Sequence, residues 1–238
     1  MIKSIICEGV DRLGKDSLIK GIKDRLGYFN TVHYQKPELL ECFLNEARTS
    51  QGKPDNFVDD QIRRYAFMTY QRKSFSDMFA MLSSEQRYIM NRAHLGEYVY
   101  SPRYRKYDGS YVFDLENKFT NDHGSKFTDT TLLILLHTSD FSFIKDDGLS
   151  FDWEKKEEEQ NDFIRAFERS NIKNKVMIDV CDGIGNFVPK ETILSSVLFA
   201  LQELPQMNDN ILQISWNYNQ GKLERSSLTF PDPKRMVF

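Results

Sequence analysis

Gly9-Val10-Asp11-Arg12-Leu13-Gly14-Lys15-Asp16-Ser17 is the stretch that decides how this chain is read. Lys3 to Glu8 before it is a β-branched apolar run, the pattern of a buried strand opening into a loop. After it, Leu18, Ile19, Ile22 and Leu26 recur at helical spacing up to Gly27. Strand, glycine-framed loop and helix with a G-x-x-x-x-G-K spacing make a cradle for phosphate. The glycines let backbone N–H groups turn inward, the helix start adds partial positive charge, and the lysine reaches the terminal phosphates. The residue after the lysine is ordinarily Ser or Thr, whose hydroxyl binds Mg²⁺; here it is Asp16, followed by Ser17. Either the loop holds nucleotide poorly, or Asp16 binds the magnesium directly or through water, since carboxylate oxygen is a good ligand for it. The second is the expectation adopted.

Outward from the loop, strands and helices alternate. Strands are expected at Thr31 to Tyr34, Arg87 to Met90, Thr130 to Thr138 and Lys175 to Val180. Helices are expected at Glu38 to Ala47, Val58 to Leu82, Lys155 to Ser170 and Pro189 to Leu204, the last with proline near its first turn. Such alternation implies an α/β fold with a parallel sheet of about five strands flanked by helices. Ile211 to Tyr218 and Lys222 to Phe230 alternate apolar and polar residues around an Asn-Gln-Gly turn, a β-hairpin added after the core. The expected division is residues 1–204 as one nucleotide-binding domain, with a lid at about 141–160, and 205–238 as a C-terminal hairpin extension.

With 238 residues, the chain can hide roughly 70–75% of its unfolded surface. Hydrophobic residues at 40% and charged residues at 28% exclude a disordered chain. The net charge of −3 argues against broad nucleic-acid binding. Cys7, Cys42 and Cys181 show neither a CxxC nor a Cys/His ligand spacing, so free thiols in a reducing cytoplasm are expected. No apolar run is long enough to cross or anchor in a membrane.

Glu8-Gly9-Val10-Asp11-Arg12-x-Gly-Lys is very similar to the P-loop of thymidylate kinases of the eukaryotic and viral type. The Gly-Lys-Asp-Ser ending resembles that of some bacteriophage deoxynucleoside monophosphate kinases. The resemblance covers residues 3–203. It implies a P-loop kinase fold with a lid, ATP as phosphoryl donor, Mg²⁺ as cofactor, and dTMP or a 5-substituted dUMP as acceptor. It also implies roles for particular residues: Lys15 and the loop Gly9, Val10, Asp11, Arg12, Leu13, Gly14, Asp16 and Ser17 around ATP, Asp11 beside the acceptor sugar, and Arg12 as a catalytic arginine in the loop. One subtype of the family carries that arginine in the lid instead, and residues 141–160 contain no arginine.

Arg92, in Met90-Asn91-Arg92, stands where the family has an Asp-Arg pair with the arginine near the acceptor phosphate. Asn91 replaces the aspartate, and Asp16 is expected to restore the missing charge. Arg72 resembles the family's helix arginine that follows an aromatic stacked on the base. Aligned on Arg72, that aromatic position falls on Met68; shifted by one, it falls on Phe67. Lys36-Pro37 matches the basic-residue-and-proline step beside the acceptor. Two other readings stay open: a kinase for another or modified deoxynucleotide or for a hydroxyl on nucleic acid, and a nucleotide-binding protein that has lost catalysis. A homodimer is compatible with all of them.

Overall fold

The structure is a computed structural model, and it describes residues 1–33, 57–122, 126–145, 153–204, 211–217 and 222–228. Seven strands form one sheet in the order β2-β3-β1-β4-β5-β6-β7. They are β1 (Ser4–Glu8), β2 (Asn30–His33), β3 (Tyr88–Asn91), β4 (Thr131–His137), β5 (Asn174–Asp179), β6 (Ile211–Asn217) and β7 (Lys222–Leu228). Every residue of β1 and of β4 is buried, which is why both read as apolar runs and not as alternations. The first six strands are parallel, and only β7 runs antiparallel, against β6.

The C-terminal hairpin extends the main sheet at its β5 edge. Ile211 pairs with Lys175 and Ile214 with Ile178, so β6 continues the same sheet as a sixth parallel strand. Leu212 and Ile214 are buried against the core, and this burial draws the hairpin onto the sheet edge.

The helices are α1 (Lys15–Leu26), α2 (Phe57–Leu82), α3 (His94–Tyr100), α4 (Tyr111–Asp122), α5 (Lys126–Thr130), α6 (Lys156–Arg169) and α7 (Lys190–Glu203). Two groups flank the sheet: α1 packs with α7, and α2, α3, α4 and α6 pack with one another. The region between β3 and β4 holds α3, a π-helical turn at Ser101–Arg105, α4 and α5. Sequence periodicity did not resolve these short pieces. The helix expected at Glu38 to Ala47 and the expected site residue Lys36 lie outside the described residues.

Within the span expected to be a lid, residues 146–152 lie outside the described residues. Its end is the first turn of α6, tied to the core. Gln160 donates from Nε2 to the Thr138 carbonyl and accepts from the Thr138 N–H, both at 2.8 Å. Lys156 is buried and pairs with Glu159 at 3.0 Å. Cys7 and Cys181 are buried free thiols; Cys42 lies outside the described residues. No helix among the described residues is long and apolar enough to cross a membrane.

β1 sits between β3 and β4. The chain leaves β1 to build the sheet on one side and returns to build it on the other. The crevice beyond the carboxyl ends of such strands is where open parallel sheets bind ligands, and the loop 9–17 occupies it.

Candidate functional site

The loop from Gly9 to Gly14 is held at its apolar positions. Val10 and Leu13 are buried in the core, while Arg12, Gly14, Asp16 and Ser17 are exposed and Asp11 lies between. The glycine at position 9 is obligatory for two reasons. Its φ is +130°, and a Cβ there would sit 2.3 Å from the carbonyl oxygen of Leu136 on β4. Arg12, between the anchored residues, has a left-handed backbone with φ 75°, a conformation that costs free energy in a non-glycine residue.

Lys15, at the start of α1, turns its side chain back into the loop. Its Nζ donates to the carbonyls of Gly9 at 2.8 Å and Val10 at 2.6 Å. The side chain is 6% exposed, and burial lowers its pKa to about 8, with the Asp11 carboxylate pulling the other way. A polyphosphate entering the loop brings negative charge to this ammonium and offers it acceptors in place of the two carbonyls.

Arg92 follows β3 directly, also in a left-handed backbone with φ 64°. A carboxylate holds this turn in place. Glu8, fully buried at the end of β1, accepts from the N–H groups of Ala93 at 2.8 Å, Leu95 at 3.1 Å and Gly96 at 3.3 Å through one oxygen. The Arg92 N–H itself donates to the Cys7 carbonyl at 3.0 Å. Burial raises the pKa of Glu8, and the backbone donors offset part of that rise. Held this way, the Arg92 guanidinium reaches Asp11 of the loop, Nη2 to Oδ1 at 2.6 Å. Tyr100, on the next turn of chain, lies within the field of Asp11 and Arg92 and donates to Glu159 at 3.0 Å; burial raises its pKa.

Asp16 and Asn91 meet across 75 residues of sequence, with Asn91 Nδ2 donating to Asp16 Oδ1 at 2.5 Å. The exposed Asp16 carboxylate is the oxygen donor here that suits a hard divalent cation such as Mg²⁺. Among the described residues no group of three His, Cys, Asp or Glu is placed to hold an ion without help.

On α2, Phe67 is buried, Met68 is partly buried and Arg72 is exposed, with its guanidinium 5.7 Å from the Tyr111 ring centroid. Of the two alignments of the helix, the one shifted by a residue faces inward: Phe67 and Gln71 are buried one turn apart. Arg105 lies 5.2 Å over the Phe67 ring, and the Tyr107 ring is 6.0 Å away. The signal for Glu8 was visible as a carboxylate closing an apolar strand. Gln71, Glu97, Arg105, Tyr107 and Tyr111 carried no signal beyond an aromatic and basic composition.

No protein-family model matches this chain. No curated protein matches it in sequence. Solved structures resemble it in shape. The YorR protein of Bacillus subtilis, in complex with phosphorylated GDP, superposes with a TM-score of 0.55 at 14% identity, covering 86% of this chain and 99% of its own. A thymidylate kinase from Ehrlichia chaffeensis gives a TM-score of 0.49 at 16% identity, with coverages of 84% and 98%. A gluconokinase from Sinorhizobium meliloti gives 0.41 at 16% identity, with coverages of 85% and 93%. At 14% identity the likeness to the YorR protein is one of fold alone, a mostly parallel sheet flanked by helices.

Proposed function

We propose that this protein is a nucleoside monophosphate kinase that moves the γ-phosphoryl group of ATP onto dTMP or a 5-substituted dUMP. One observation carries the reading: the 2.6 Å ion pair between Asp11 of the phosphate loop and Arg92 at the end of β3. It brings an anion-holding arginine against the cradle that binds the donor phosphates. Donor and acceptor then share one crevice, as in-line transfer requires.

In this reading Lys15 and the loop amides hold the β- and γ-phosphates of ATP. Arg92 holds the acceptor's phosphate, and Asp11 faces the acceptor's sugar. An oxygen of the acceptor phosphate attacks the γ-phosphorus. The bond from that phosphorus to the bridging oxygen of ADP breaks, and Arg12 offsets the charge that spreads over the transferring group. The nucleophile is already ionised, so no strong base is needed. Asp16, held by the Asn91 amide, would help hold Mg²⁺, which would supply neutralising charge to the donor phosphates.

The test is a panel of nucleoside monophosphates with ATP and magnesium. The expected result is faster turnover of dTMP, or of dUMP carrying a 5-substituent, than of AMP, GMP or CMP. Preference for a purine would discard the thymidylate acceptor and keep the kinase. Turnover of oligonucleotides alone would move the acceptor to nucleic acid. Tight ATP binding with no turnover of any acceptor would sink the reading.

Asp16→Asn is expected to raise the magnesium concentration for half-maximal activity several-fold, since a neutral amide is a poorer ligand. Asn91→Asp in the same background is expected to recover part of that loss. An unchanged magnesium titration would remove Asp16 from the metal site.

A further inference from the structure

We propose that His94 is a positioning residue for the acceptor phosphate: buried near the carboxylates of Glu8 and Glu116, its positive charge steadies the hold that Glu8 has on the turn carrying Arg92. This rests on the kinase reading above and adds to it a residue with no exposed surface.

His94 opens α3, two residues after Arg92, and is fully buried. Its ring lies against Phe79 of α2, with centroids 5.2 Å apart, and edge-on to Phe113 of α4 at 6.3 Å. An imidazole in so apolar a place ordinarily has hydrogen-bond partners at both nitrogens. Neither nitrogen makes a hydrogen bond among the described residues. What His94 has instead is carboxylates. Its Nε2 lies 3.3 Å from Glu116 Oε1, and neither side chain has exposed surface. Its two chain neighbours, Ala93 and Leu95, both donate their N–H groups to Glu8 Oε1. Glu8 Oε2 is buried as well, and no hydrogen bond among the described residues reaches it.

Carboxylates this deeply buried need a balancing charge, because an unpaired charge in a core is strongly destabilising. The other groups around them are committed elsewhere. Lys175 of β5 donates to the carbonyls of Glu168 and Ser170, at 3.1 Å and 2.5 Å. Arg169 of α6 lies 4.4 Å over the Phe113 ring. Burial pushes the Cys7 thiol up to about 12, so it stays neutral. Lys15 donates to the carbonyls of Gly9 and Val10, and in the kinase reading polyphosphate draws it away. His94 as an imidazolium supplies the charge that remains.

Both carboxylates respond to it. Burial raises the pKa of Glu8, and His94 pulls most strongly the other way, ahead of the Gly96 N–H, Lys15 and the Ala93 N–H. Burial would also raise the pKa of Glu116. The nearby His94, the Ser170 hydroxyl at 2.6 Å and the Asn171 N–H at 2.8 Å together bring it below the usual carboxylate value. An ionised Glu8 accepts from backbone N–H groups more strongly than a neutral one. Its three bonds fix residues 93–96, and with them the left-handed turn at Arg92, whose φ of 64° costs free energy. Removing the charge of His94 therefore loosens Arg92 and spares the donor side.

Two measurements test this. In wild type at neutral pH, nitrogen-15 NMR of the histidine rings, assigned by comparison with His94→Gln, is expected to show a hydrogen on both nitrogens of His94. A neutral ring overturns the inference. With ATP and dTMP, His94→Gln is expected to raise the acceptor KM at least about tenfold, the scale of a hydrogen bond to a charged group, with KM for ATP within about twofold. Carboxyl-carbon NMR of the same variant is expected to show Glu8 taking up its proton at higher pH than in wild type. Should His94→Gln fail to fold because Glu116 is left unbalanced, the double variant His94→Gln, Glu116→Gln removes that imbalance and reads the same acceptor KM. An acceptor KM that stays within about twofold of wild type, or a KM for ATP that rises in parallel with it, overturns the inference and leaves the kinase standing. A wild-type protein that turns over no monophosphate overturns the kinase reading and, with it, the acceptor role of His94.

Discussion

Lys15→Ala is expected to reduce phosphoryl transfer at least about 10³-fold while the protein stays folded. Its ammonium is the group aimed into the loop, and its removal deletes charge from the phosphate site without opening the core. Stability should hold or rise, because the wild-type ammonium is buried at a cost visible in its lowered pKa, about 8 against 10.5. The sign of the pH dependence follows. Between those two values the unfolded chain binds more protons at this lysine than the folded one. The nucleotide-free protein therefore gains stability from this group as pH rises through that window. ATP affinity moves the other way, because polyphosphate needs the ammonium. It should weaken about tenfold from pH 7 to pH 9 in wild type and stay flat in Lys15→Ala. Titration calorimetry across that range, with a thermal unfolding scan, checks both. Full turnover in a folded Lys15→Ala protein would remove this lysine from the mechanism.

Arg12→Ala is expected to lower kcat by about 10³ to 10⁵ with ATP affinity changed only a few-fold, since its charge is needed most when the phosphoryl group is in flight. The structure gives this arginine an exposed side chain on a left-handed backbone between the buried Val10 and Leu13. The two anchors fix that conformation. Single-turnover rates alongside equilibrium ATP binding separate the two effects. A loss of less than about tenfold in kcat would rule out the role.

The phosphate loop was legible in the sequence because its requirements are local. Glycines at two positions, a lysine at a set spacing, an apolar strand before and a helical stripe after are all properties of neighbours along the chain. The parallel sheet followed from the same logic, since runs such as Thr131 to Leu136 are apolar on both faces only when both faces are covered. Asp11, Arg12 and Arg92 were nominated from their motif, and the structure adds what sets their backbones. The helix α2 was harder. Phe67, Met68, Gln71 and Arg72 sit on a long helix whose pattern does not mark one inward face, and a rotation of one residue exchanges Gln71 for Arg72.

By itself, then, the sequence determined the fold class and the glycine-framed loop between β1 and α1, and it nominated the candidates nearest that loop, because backbone conformation and burial period are written in short stretches. The tertiary structure alone decided which distant groups meet. Asp16 reaches Asn91, Arg92 reaches Asp11, and Glu97 gathers Arg105, Tyr107 and Tyr111. It also decided that Gly9 must be glycine because Leu136 crowds it, and that the hairpin joins the main sheet. Each of these depends on strand order and on the rotation of a helix about its own axis. Those are set by the packing of the whole core, which no local stretch of residues encodes.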